Sequence, residues 1–170
     1  MVPTLLLAEC AAPPPAARKS VATVVAAVPA PPVRRAPPPP VRTSWAFRAG
    51  EDECIATAVG AGTSLIISIR RDTPIRLIVS LPVTPAHAPA TVPLRFSGPA
   101  GNWQTASLRS ARQVALTLAS DDAALSKVLV LLSGGVLEVG EAAQPLVALA
   151  ISPSDAPGQT WFDCARGKML

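Results

Sequence analysis

The sequence predicts a mainly β domain of the β-rich α+β class: an antiparallel sheet or sandwich with one central amphipathic helix and a short C-terminal helix. Three observations lead there. Residues 65–70 and 75–81 each carry one fully apolar face. Leu65, Ile67 and Ile69 form it on one strand, Ile75, Leu77, Val79 and Leu81 on the other, and Arg71, Asp72, Thr73 and Pro74 make the turn between them. Leu125, Val128, Leu129 and Leu132 fall at i, i+3, i+4 and i+7, the spacing that gives a helix one apolar stripe. Residues 136–139 and 146–151 are short apolar runs, the second bounded by Pro145 and by Ser152 and Pro153, and together they read as a buried hairpin.

In chain order, residues 45–47 open the fold as a strand. Gly50, Glu51, Asp52 and Glu53 make a polar turn, and residues 54–59 return until Gly60 and Gly62 break the run. The 65–81 hairpin follows and is expected to pack against the Leu125 face of the helix. Residues 82–93 read as a proline-rich loop holding His87, the only histidine. Val92, Leu94 and Phe96 alternate into another strand, residues 98–101 turn it, residues 103–106 run back, and residues 114–118 form a strand before the helix. Ser120 stands where an N-cap belongs, with Asp121 and Asp122 in the first turn, where the helix dipole favours negative charge. Gly134 and Gly135 stand where a left-handed C-cap is needed. Ser154 is the candidate cap of the last helix, with Asp155 in its first turn, Trp161 and Cys164 on one side and Gly167 at its end. Pro157 and Gly158 are tolerable only near a helix start, so a loop ending in a single turn over 161–166 is the alternative.

At 170 residues the chain has room for one domain and a tail. Residues 11–42 hold ten prolines, Pro13 to Pro15, Pro29, Pro31, Pro32 and Pro37 to Pro40, with no acidic residue among them. This composition reads as an extended, disordered Pro/Ala-rich spacer that cannot supply a core. The organisation expected is therefore a signal-like segment at 1–10, the spacer at 11–42 and one globular domain at 43–170. Charge divides the same way: residues 1–42 carry five basic side chains against Glu9, whereas residues 43–170 carry ten of each sign. The net charge of +4 thus belongs to the arm, and the domain offers no basic face for nucleic acid.

Residues 1–10 end in Leu-Ala-Glu-Cys after a run of leucines, which resembles the end of a bacterial lipoprotein signal with Cys10 as the lipidated residue. Glu9 departs from the Gly, Ala or Ser usual before that cysteine. Some other export signal, or a chance match in a cytoplasmic chain, is the alternative. Cys54 and Cys164 lie near opposite ends of the domain. In an exported chain they are expected to form one disulfide; in a cytosolic chain they are buried thiols.

No catalytic constellation is visible. His87 lies between prolines, and nothing in the sequence brings it near Cys54 or Cys164, so a Cys-His nucleophile is not expected. Gly-x-Ser-x-Gly, His-Glu-x-x-His, Cys-x-x-Cys and a phosphate-binding glycine loop are all missing from the sequence. Neither cofactor nor metal is expected. Glu51, Asp52 and Glu53 have weak calcium-binding character, but three adjacent acids in a turn usually face solvent. Arg109 and Arg112 form either an anion-binding pair or a solvated edge, and the edge is favoured. With no tyrosine and 4% aromatic residues, a stacking platform for sugars or single-stranded nucleic acid is not expected.

An Asp-initiated aliphatic helix, then Gly134-Gly135 and the runs 136–139 and 146–151 leading to Cys164, follow an early Trp45 and Cys54 and a hairpin ending in Leu81-Pro82. This order resembles the invasion-associated locus B family of small exported proteins of alphaproteobacteria. The resemblance implies a periplasmic or surface-associated β-rich domain without known enzymatic activity, and it carries no site residues. The function expected is a non-catalytic cell-envelope interaction or accessory protein, periplasmic or anchored through Cys10. Its partner would be an envelope protein or a cell-wall or membrane component. The alternatives are an exported enzyme or enzyme inhibitor with an unrecognised site, and a soluble binding module that uses its proline-rich arm.

Overall fold

The structure is a computed structural model that describes residues 39–82 and 89–169. Residues 1–38, with Cys10 and almost all of the expected spacer, and residues 83–88, with His87, lie outside it. Among the described residues the chain forms ten strands and two helices. They are β1 Val41–Arg42, β2 Ser44–Ala49, β3 Glu53–Gly60, β4 Thr63–Arg70, β5 Ile75–Ser80, β6 Ala90–Gly98, β7 Gly101–Arg109, β8 Gln113–Leu118, α1 Asp122–Leu132, β9 Gly135–Glu141, β10 Gln144–Ile151 and α2 Ala156–Gly167.

All ten strands belong to one sheet in the order β1-β10-β9-β6-β7-β8-β5-β4-β3-β2. Only Thr43 separates β1 from β2, yet they occupy opposite ends of that order. One continuous stretch of chain pairs parallel with β10 on one side and antiparallel with β3 on the other. A sheet can satisfy that only by curling until its ends meet. Of the antiparallel sheet or sandwich expected, a mainly antiparallel sheet forms, curled into a single, nearly closed barrel, and closure covers the edges that an open sheet would expose. The closing strand also moves the start of the fold to Val41, inside the stretch assigned to the spacer.

The walls follow the alternation in the sequence. Leu65 pairs with Val79 and Ile67 with Leu77, and across β5 Ile75, Leu77 and Val79 meet Leu118, Leu116 and Val114. These side chains all turn inward and are buried. A one-residue slip of β4 would turn Leu65, Ile67 and Ile69 to solvent. At about 1.5–3 kcal/mol each, that loss is on the order of a whole domain's stability, so the register is firmly set. On β3 the inward residues are smaller, Cys54, Ala56 and Ala58, and α2 packs against β2 and β3 over them. Trp161 and Ala165 of α2 are fully buried there.

Helix α1 is the connection from β8 to β9. Because β9 pairs with β6 on the far side of β7, α1 has to cross β7 and β6. It accordingly lies chiefly against those two strands and α2, and shares one core with the β4–β5 hairpin expected to pack on it. Its N-cap is Asp121, whose carboxylate accepts from the Ala124 N–H at 2.7 Å. Ser120, the expected cap, donates instead to the Thr73 carbonyl in the β4–β5 turn at 2.6 Å. The buried stripe is Ala124, Leu125, Val128, Leu131 and Leu132, while Leu129 is 45% exposed. At about 100° per residue Leu129 falls roughly 100° from the centre of that stripe, so i+4 spacing from Leu125 did not make it a core position. In α2 the N-cap is Asp155, not Ser154, whose backbone N–H donates to the Leu132 carbonyl at 2.8 Å and so satisfies the last turn of α1. The α2 helix is a full twelve residues, which removes the single-turn alternative. Pro93 lies within β6, so the loop expected at 82–93 gives way to a strand from Ala90 onward.

Gly134 and Gly135 end α1 with φ of +88° and +152°, as their place after the apolar stripe indicated. Gly135 also enters β9 where that strand meets β6, and a Cβ there would overlap the Ser97 carbonyl oxygen and the Phe96 ring. Both the dihedral and the space exclude a side chain. Gly135→Ala is expected to lower unfolding stability by about 2–4 kcal/mol, seen as a lower urea midpoint at unchanged slope. A midpoint within error of the native chain would mean that β6 and β9 are not pressed together at this residue.

Candidate functional site

The C-terminal helix is held by a covalent clasp. Cys54, fully buried on β3, and Cys164 of α2 form a disulfide with Cα atoms 6.2 Å apart across 110 residues of sequence. The two cysteines expected to pair in an exported chain are thus bonded, and neither is a free nucleophile. His87 and Cys10 lie outside the described residues.

Beside the clasp, the turn Gly50 to Glu53 borders a cleft of about 530 Å³ that also meets Arg48 and Arg70. Glu53 is taken up by cations: Arg70 donates through Nη2 at 3.2 Å and holds its Nε 2.9 Å from the carboxylate as an ion pair, and Arg48 lies 3.7 Å away. The hydrogen bond that Arg70 donates to Glu53, then the Glu53 charge, raises the Arg70 guanidinium above its ordinary range, so this arginine stays charged at any working pH. The Lys168 ammonium donates to the Glu51 carbonyl. With its last carboxylate, Glu53, paired in this way the turn has one charge-paired corner, and among the described residues no three His, Cys, Asp or Glu side chains converge on a metal position.

Arg109 and Arg112 are not brought together. Arg109 stands on β7 opposite Val114 and is only 9% exposed, which corrects the solvated edge expected for it. Its Nε meets no hydrogen-bond partner among the described residues. Arg112 is exposed in the β7–β8 turn, where its carbonyl accepts from the Leu81 N–H at 2.8 Å. The reason is register: Arg109 is paired with Val114, so it shares that residue's inward face, whereas Arg112 lies in the loop.

The surface with the character of a binding site lies at the barrel mouth where the closing strand meets α2. Trp45 and Phe47 are two apart on β2 and share its inner face. Their rings stack with centroids 5.3 Å apart and planes 17° from parallel, and Phe47 leans on Trp161 at 6.2 Å. The Trp45 Nε1–H donates to the Ser152 carbonyl at 2.7 Å, and the Ser152 hydroxyl donates to the Thr43 carbonyl at 2.7 Å, so the indole is fixed in place. Between these half-buried rings and the exposed Pro153 and Pro157 runs a groove of about 360 Å³ with Asp155 on its rim. Asp155 caps α2 by position only, since its side chain makes no bond to the helix, and it joins none of the ion pairs among the described residues. The groove therefore combines flat apolar walls with one uncommitted carboxylate. In the sequence its only signal is the Trp45/Phe47 spacing; the opposite wall comes from residues more than 100 positions away.

Closing 110 residues with one cross-link removes on the order of 4–5 kcal/mol of unfolded-state entropy in the loop-closure model, a third or more of a typical domain's stability. The Cys54→Ala/Cys164→Ala protein is expected to lose about 3–5 kcal/mol against the oxidised chain and to loosen α2 first, giving earlier exchange of the α2 amides. If the α2 amides remained protected to the same degree, the helix would be held by Trp161 packing alone.

Among the described residues no helix is long and apolar enough to cross a membrane. Compared with known protein families, with curated proteins and with solved structures, the chain matches no family model, no curated protein and no solved structure.

Proposed function

We propose that this chain is a non-catalytic interaction protein of the cell envelope, exported and held off its anchor by the proline-rich arm. The observation that carries the proposal is the Cys54–Cys164 bond. A bond across 110 residues, from the first hairpin of the fold to its last helix, belongs to a chain that matures where thiols are oxidised. The pattern of Trp45, Cys54, the Gly134-Gly135 helix end and Cys164 adds its likeness to the invasion-associated locus B family. A domain of balanced charge with an aromatic groove has a surface to offer a partner, and a spacer rich in proline sets such a surface at a distance. Anchoring through Cys10 completes the proposal.

The experiment is the intact mass of the protein from its native host before and after reduction, together with fractionation of a Cys10→Ser strain. The expected result is a mature chain that starts at a lipid-modified Cys10, gains the mass of two hydrogens on reduction, and leaves the membrane fraction in the Cys10→Ser strain. A full-length chain with three free thiols would overturn the export reading. A Cys10→Ser chain that stays in the membrane fraction would overturn the anchor.

A further inference from the structure

The groove at the barrel mouth has the chemistry of a polyproline receptor, and the chain carries a matching ligand. Proline-rich segments dock by laying flat pyrrolidine rings on aromatic faces, and because the polyproline helix is already extended and needs no internal hydrogen bonds, little ordering entropy is lost. Specificity in such grooves comes from a basic residue beside the prolines meeting an acid at the rim. Here the stacked Trp45 and Phe47 supply the aromatic floor, Pro153 and Pro157 the facing wall, and Asp155 the acid. In the arm, Arg34 and Arg35 stand between Pro29, Pro31 and Pro32 on one side and Pro37 to Pro40 on the other.

We propose that the Trp45–Phe47 groove of one copy binds residues 29–40 of a second copy, with Arg34 or Arg35 paired to Asp155. Three features lead to this occupant. The arm is basic, with five cations against one acid, whereas among the described residues the charge lining the groove is the Asp155 carboxylate. The arm joins the fold at the groove itself, because Val41 and Arg42 run into Thr43 and Trp45. A second copy is the donor because a run of four prolines resists the reversal needed to bring residues 29–40 back over the Trp45 beside them. Arm into groove joins unlike surfaces, so two copies can exchange arms as a closed pair or pass them on as an open chain, and in either case the average mass rises with concentration. The inference rests on the domain being an interaction module and does not depend on export or on Cys10.

The test is sedimentation velocity of the full chain over a concentration series, with the Trp45 indole N–H followed by NMR. The variants are chosen not to disturb the fold: Arg34→Glu/Arg35→Glu lies in the arm, and Asp155→Lys is exposed and makes no side-chain bond to its helix. Native chain is expected to grow in average mass with concentration, each variant to self-associate about tenfold more weakly, and a mixture of the two variants to recover heterotypic association. A synthetic peptide of residues 28–40 is expected to reverse the association and to shift the Trp45 indole resonance. A native chain that stays monomeric while the peptide shifts Trp45 only in the Arg34→Glu/Arg35→Glu chain would show each arm seated on its own domain and would overturn the exchange. No peptide shift in any chain would overturn the groove as a proline receptor and leave the export proposal standing.

Discussion

The bend at Thr43 is the constraint on which the rest of the structure depends. Val41 and Arg42 pair with β10, Ser44 to Ala49 pair with β3, and the Thr43 N–H and hydroxyl both reach the Ala150 carbonyl at 3.1 Å. These bonds hold two sheet ends together that would otherwise present rows of unpaired backbone groups. The Ser152 hydroxyl on Thr43 and the Trp45 indole on Ser152 continue the same seam. Because the seam joins the start of the domain to residues more than 100 positions later, the barrel cannot be complete until almost all of it is made.

Inside that wall, side-chain size decides where the helices go. The β4, β5 and β8 strands fill their share of the interior with Leu, Ile and Val, while β3 turns Cys54, Ala56 and Ala58 inward and leaves room for Trp161 of α2. The disulfide fastens the same helix at the same place. At the other end, Gly135 and Gly98 let β9 and β6 come together next to the end of α1, and the Leu132 carbonyl is satisfied by the Ser154 N–H on the way into α2. The two helices therefore meet through a shared terminus as well as through packed side chains.

The chemistry at the surface follows from the same closure. Glu53, at the end of the acidic turn, is paired with Arg70 of β4, and the ion pair Arg95 to Glu138, 3.5 Å apart, likewise joins adjacent strands. The domain's ten basic and ten acidic side chains leave it without net charge. What remains distinctive is the groove, where β2 aromatics, the Pro153 segment and the uncapped Asp155 converge because β2 is the closing strand and α2 is the element clasped to its neighbour.

Local pattern in the sequence was enough for the features that depend on near neighbours. Alternation at Leu65, Ile67 and Ile69 identified the strongest hairpin, the Leu125/Val128/Leu132 spacing identified α1, and Gly134-Gly135 marked its end, because strand pleat, helix pitch and left-handed backbone each act over a few residues. The pairing of Cys54 with Cys164 was legible on the condition of an oxidising compartment, since no third cysteine lies in the domain. Ser120 against Asp121, and Leu129 against Leu131, were decided by what packs on the helix, which its own sequence does not encode. The burial of Arg109, the curling of the sheet into a barrel and the groove beside Trp45 were decided only by tertiary structure. Each depends on which strand becomes whose neighbour, and that is set by the non-local bonds across Thr43 and by α1 crossing two strands to reach β6's free side.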